Sequence, residues 1–217
     1  MKSWKRKATL AGPRLRATME PHEVQILHTL VSNVSDLLEQ RRDSAPRDEL
    51  AELTGMRSGH SEAPDSPPLA RLLPDFHGAE AADAEGGDDA EAAARAQNSG
   101  MRLLHEPEII DAKLGSAAVV LRTLPARGGT VSLTREQAES WLNCLNDVRL
   151  GLGAVLMESR AEGPDGSGGA GGPGGPGTIP ETLPDSDPRA AHLEVYHWLT
   201  FMQDSLCTAL AGGTEDR

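Results

Sequence analysis

The sequence predicts a mainly α protein, a helical bundle carrying a small antiparallel β-sheet built from an N-terminal hairpin and a short strand near 129–133. Three observations predict it. Apolar residues recur at helical spacing over four long segments. Residues 4–19 alternate apolar and polar around Gly12-Pro13. Apolar residues make up 38% of the chain, and the shortfall from an ordinary globular share is confined to two tracts, 78–98 and 162–188. Residues 1–161 with 188–212 therefore read as one α-dominated domain. Residues 78–90 read as an acidic disordered insertion, and 162–187 as a disordered Gly/Pro-rich linker.

The hairpin strands are "WKRKATL" and "RLRATM". Alternation puts Trp4, Ala8, Leu10, Leu15, Ala17 and Met19 on one face, and Lys5, Lys7, Thr9, Arg14, Arg16 and Thr18 on the other. Arg6 breaks the pattern. Two strands are marginal alone, and "GTVSL" at 129–133 supplies a third. Pro21 suits a first helical position, and a stripe from Val24 to Leu38 makes 21–42 a helix. "SAPRDELAELTG" reads as a short helix ended by Gly55. Ser66 and Pro67 open another short helix.

Residues 78–88 read as disordered, with helix starting near Ala90. Pro107 predicts a break or kink before a helix that runs to about Leu124. Thr134 and Gln137 form a capping-box signature opening a helix over 135–159. Asp187-Pro188 starts a last helix reaching about Ala211.

The net charge of −12 argues against nonspecific binding of duplex or membrane by the whole surface. The charge is uneven, though. Residues 1–16 hold six cations and no acid, and 79–91 hold six acids and no base. Cys144 and Cys207 fall among apolar helical positions, as buried thiols of a reducing cytosol would. No apolar run approaches the ~18 residues of a membrane span, and no apolar stretch follows the basic N-terminus as in a secretion signal. These features predict a cytoplasmic protein.

Motifs for chemistry fail on inspection. "HEVQI" has Ile26 where a zinc-protease helix needs a second histidine. His192 and His197 lie five apart, about 140° around a helix, where metal pairs need three or four. His28, His60, His77 and His105 show no ligand spacing. The glycines of "GGAGGPGGPG" follow no strand and open no helix. No metal or cofactor is expected. "RDELAELTGMRSG" resembles the start of a helix-turn-helix, but the prolines that follow exclude a recognition helix.

The informative residues are polar ones on apolar faces. With Trp141 as origin, Leu145, Val148, Leu152, Val155 and Leu156 fall within about 60°, and Arg149 lies near 80° between Leu142 and Leu156. Lys113 falls mid-stripe in the helix after Glu108, and Gln203 near the centre of the last helix's stripe. If buried, each needs a partner, since an unpaired buried amide costs about 1–3 kcal/mol and a lone charge more. They either snorkel to water from the stripe edges, form an internal polar network, or line a pocket. Arg149 reads as an anchor, not a reagent.

Several stretches, in order, carry a family resemblance: "WKR", "EPHEVQILHTLV", "DELAELTGMRSGHS", "PPLARLLPDF", "LLHEPEIIDAKL", "VSLTREQAESWLNCLNDVRLGLG" and "HLEVYHWLTFMQDSL". Together they resemble DUF2017, a domain-of-unknown-function family of high-GC bacteria. The Gly/Pro insertion is longer than the family pattern. The resemblance implies no assigned activity. It implies gene neighbourhood with the adaptor that feeds the Clp protease, and for some members a label as transcriptional regulators.

The leading expectation is a non-catalytic protein-interaction or regulatory domain with a protein partner. Lys5, Lys7, Arg14 and Arg16 form its candidate contact face. The first alternative is a DNA-binding regulator using the same four cations. The second is an enzyme with a pocket around Lys113, Arg149 and Gln203. Oligomeric state is left open.

Overall fold

A computed structural model describes residues 2–10, 12–46, 57–76, 88–161, 179–184 and 186–212. The predicted short helix at 44–55 lies mostly outside these, as do 77–87 and 162–178. Strands β1 (Lys5–Thr9), β2 (Gly12–Met19) and β3 (Gly129–Leu133) form the antiparallel sheet, in the order β1-β2-β3. The helices are α1 (Pro21–Asp43), α2 (Pro67–Leu72), α3 (Asp88–Thr123), α4 (Arg135–Ala161) and α5 (Ala190–Ala211). The fold is mainly α with a small three-stranded sheet.

Helix α4 is the central rod. It packs on α1, α2, α3, α5, β2 and β3. Its start is fixed by the predicted capping box: the Gln137 amide donates to Thr134 Oγ1 at 3.1 Å, and the Thr134 amide to Gln137 Oε1 at 2.9 Å. Trp141, Leu145, Val148 and Leu156 along it are fully or nearly fully buried. Around them stand Leu27, Val31 and Leu38 of α1, Ile110 and Val120 of α3, and Leu199, Met202 and Leu206 of α5. Val155, placed in the stripe by periodicity, is exposed.

The sheet closes one side of this core with Leu15, Ala17, Met19, Val131 and Leu133. Trp4 meets Trp141 edge-on, with ring centroids 5.4 Å apart. The Trp141 indole N–H donates to Thr123 Oγ1 at 2.8 Å, so the largest core side chain leaves no donor unpaired. Ala8 and Leu10 are exposed, contrary to the alternation pattern. The chain turns into β3 through Gly128, at φ +85°, where a Cβ would come within 2.9 Å of the Pro21 nitrogen.

Three boundaries differ from expectation. Helix α3 begins at Asp88, so the last residues of the acidic tract are helical. It also runs unbroken through Pro107. Helix α5 begins at Ala190, and Asp187 precedes it in a turn. There Arg189 donates through its amide and guanidinium to Asp187, which holds that carboxyl down to about 2. The predicted linker is not featureless at its end: Ile179 and Leu183 pack against the core.

Candidate functional site

The sheet places the basic residues first. In the β1–β2 register Lys5 faces Arg16 and Lys7 faces Arg14. Directly opposed residues share a face, as do alternate ones, so all four cations stand together on the side away from the helices. Lys5, Lys7 and Arg16 are exposed and Arg14 half-buried. Thr18, Thr130 and Ser132 continue this face across β2 and β3. Leu10, at the hairpin tip, is fully exposed.

The polar residues on the apolar faces divide into two separate clusters. Asp147 and Arg149 are two positions apart on α4, about 200° around the helix, so they face different neighbours. Lys113 of α3 donates from Nζ to Asp147 Oδ1 at 2.5 Å. Burial raises the Asp147 carboxyl above its usual range, and the Lys113 bond and charge work against that rise. Beside it, the buried Cys144 thiol is pushed up to about 12, by burial and then by the Asp147 charge, so it stays protonated.

Arg149 faces α5. Its Nη1 donates to Gln203 Oε1 at 2.6 Å and its Nη2 to the Tyr196 hydroxyl at 3.1 Å. The guanidinium carbon lies 5.1 Å from the Tyr196 ring centroid. Arg149 Nε is buried and donates to none of the described residues. Arg149 and Gln203 thus meet, while Lys113 stands apart from them with Asp147.

A third cluster carries no sequence signal on an apolar stripe. Glu106 and Arg102 of α3 are almost wholly buried. Glu106 accepts from Arg41 Nε at 2.8 Å and from Arg102 Nη1 at 3.0 Å. Arg102 Nη2 also donates to the Leu73 carbonyl at 3.0 Å and to Asp75 Oδ1 at 2.8 Å. Only the i, i+4 spacing of Arg102 and Glu106 was available to point to it.

The cavities among the described residues include a broad one and a small one bordered by Arg149. A broad cleft of about 980 Å³ lies between the start of α1 and the end of α3, lined by Pro21, Val24, His28, Leu121 and Arg127 among others. A smaller one, about 150 Å³, lies between α2, α4 and α5 and is bordered by Arg71, Asn146, Arg149 and Tyr196. Among the described residues no group of three or more His, Cys, Asp or Glu is arranged to hold a metal ion. No helix among them is long and apolar enough to cross a membrane.

Comparison with known proteins bears on the whole chain. A family model, domain of unknown function DUF2017, matches residues 1–210. Proteins of Mycobacterium bovis and Mycobacterium tuberculosis, each named oxidative stress regulator AosR, are 41% identical to it over 98% of this chain and 89% of their own length. No solved structure matches.

Proposed function

We propose, since the chain belongs to the DUF2017 family, that it is a cytoplasmic, non-catalytic regulator of the response to oxidative stress, and that it acts by binding another protein. The observation that carries this reading is the likeness to proteins named for that role, which spans 98% of the chain and so takes in the sheet as well as the bundle. The contact surface is the outer face of the sheet, with Lys5, Lys7, Arg14 and Arg16. An acidic protein surface is its natural complement. The buried carboxylates Glu106 and Asp147 are each committed to ion pairs, which supports a structural role for them. A finer proposal, drawn from the family's gene neighbourhood, is that the partner belongs to Clp-type proteolysis.

The basic face also favours a second reading, a DNA-binding regulator. Against it stand the net charge of −12 and the lack of aromatic side chains for stacking on that face. One experiment separates the two. The wild-type chain and a variant with all four cations changed to Ala are crosslinked in the native cell and purified. The account predicts a protein partner captured by wild type and lost in the variant. Salt-sensitive retention on DNA, lost in the same variant, would establish the DNA reading instead.

A further inference from the structure

Among the described residues, the cations packed between the helices are mostly held by carboxylates. Arg41 and Arg102 share Glu106, Arg102 also reaches Asp75, and Lys113 holds Asp147. Arg149 has no carboxylate. Both its partners, Gln203 and Tyr196, are neutral, and among the described residues no acid forms a salt bridge with it. A guanidinium has five N–H donors, and the protein occupies two here. Half-burying a charge without a counter-charge is costly, and Arg41, Arg102 and Lys113 each have a carboxylate to offset it.

The unmatched charge borders the cavity of about 150 Å³. The same cavity is lined by a second guanidinium, the exposed Arg71 of α2, which among the described residues makes a 3.5 Å contact to Met157 Sδ. Asn146 adds an amide at its edge. Two cations of like sign beside one void repel each other, and a negative ion between them removes the repulsion. The volume is what about five liquid waters fill, room for an ion of a few heavy atoms. Arginine forks match the planar or tetrahedral oxygens of carboxylates and phosphates.

We propose that this cavity binds a small oxyanion, a carboxylate or phosphate, between Arg71 and Arg149, with Asn146 as a further donor. Tyr196 and Gln203 hold the Arg149 guanidinium in place from the α5 side. Ile179, at the end of the glycine-rich tract, forms part of the wall, so an ion here ties α2, α4 and α5 to that segment. The site does not depend on the partner-binding reading, and it gives that regulator a small-molecule input.

The full chain is titrated separately with inorganic phosphate and with succinate. Sodium chloride at matched ionic strength is the control, and the readouts are melting temperature and calorimetric heat. The proposal predicts a saturable rise with phosphate or succinate that chloride does not give. Phosphate alone assigns a phosphoryl ligand, and succinate alone a carboxylate. Arg71→Ala changes an exposed side chain and relieves its repulsion with Arg149, so it should not lower the unliganded melting temperature while it weakens binding by about 10-fold or more. Arg149→Gln should abolish it, and if that variant fails to fold, Arg71→Ala decides. Equal responses to all three salts, or undiminished binding by Arg71→Ala, would overturn the proposal.

Discussion

The amide of Gly59 donates to the carbonyl of Leu103 at 2.8 Å. That carbonyl is the one Pro107, four residues on and lacking an N–H, cannot serve. A residue from a distant loop thus fills the gap that proline leaves in α3, and the helix continues where its sequence predicts an interruption. The loop is held down on both sides. Arg57 pairs with Asp111 of α3, and His60 Nε2 lies 2.8 Å from the Arg41 carbonyl of α1.

Gly59 is accordingly confined. A Cβ there would meet the Arg102 carbonyl at 2.8 Å and Pro107 Cδ at 2.9 Å, both parts of rigid backbone or ring. Gly59→Ala is expected to cost about 1–3 kcal/mol, the range of overpacking in a filled site. Urea unfolding measures this. A midpoint equal to wild type would show that the loop does not seat on α3 as described.

Glu106 joins two guanidinium groups in the interior, with its side chain 2% exposed. Glu106→Ala leaves Arg41 without its carboxylate and Arg102 with only half-exposed Asp75. Removing one partner of a buried ion pair costs about 3–5 kcal/mol, and a loss at that level is expected here. Glu106→Gln should lose less, since its oxygen still accepts one bond. Chemical denaturation of the two variants side by side checks the order.

Asp147 gives a pH dependence of defined sign. Its folded value is raised above the ordinary 3.8, so the folded chain binds that proton more readily than the unfolded chain. The group's favourable contribution is therefore present below 3.8 and is lost as pH rises through the folded value. Lys113→Met removes the bond and charge that oppose the rise. It should push the Asp147 carboxyl further up and widen that window, with a stability loss near neutral pH of about 1–3 kcal/mol. NMR titration of the aspartate carboxyl carbons reads the shift directly, and no movement of Asp147 would contradict the pairing.

The two thiols should differ in reactivity. Cys144 is buried and pushed up to about 12, whereas Cys207 is exposed on α5. In the native chain at mildly alkaline pH, iodoacetamide is expected to alkylate Cys207 and to spare Cys144, which reacts on unfolding. Peptide mass spectrometry distinguishes them. Both had read as buried from sequence, since Cys207 sits one position from Leu206 in the stripe, and a one-residue step turns a side chain about 100°.

What the sequence could disclose was local. Thr134 and Gln137 announce a cap within four residues, and the alternation of "GTVSL" announces a strand that pairs where expected. Arg149, Lys113 and Gln203 stood out because they interrupt a period. The pairings could not be read, because each joins two helices: Asp147 is 34 residues from Lys113, and Gln203 is 54 from Arg149. The Tyr196 hydroxyl, which Arg149 also bonds, lies 47 residues away on the same distant helix. Arg41, 65 residues from Glu106, was hidden for the same reason, and the proline beside Glu106 suggested a break or kink where the helix continues. Leu10 misled in the opposite sense: strand alternation says which side a residue faces, not whether anything lies beneath it.

The most direct test of the account is whether the outer sheet face is the working surface. Lys5, Lys7, Arg14 and Arg16 are changed together to Glu, and the variant replaces the native gene in cells challenged with peroxide. The account predicts lost resistance, with a melting temperature of the purified variant close to wild type because all four side chains point away from the core. Full resistance restored by a stably folded quadruple variant would contradict it.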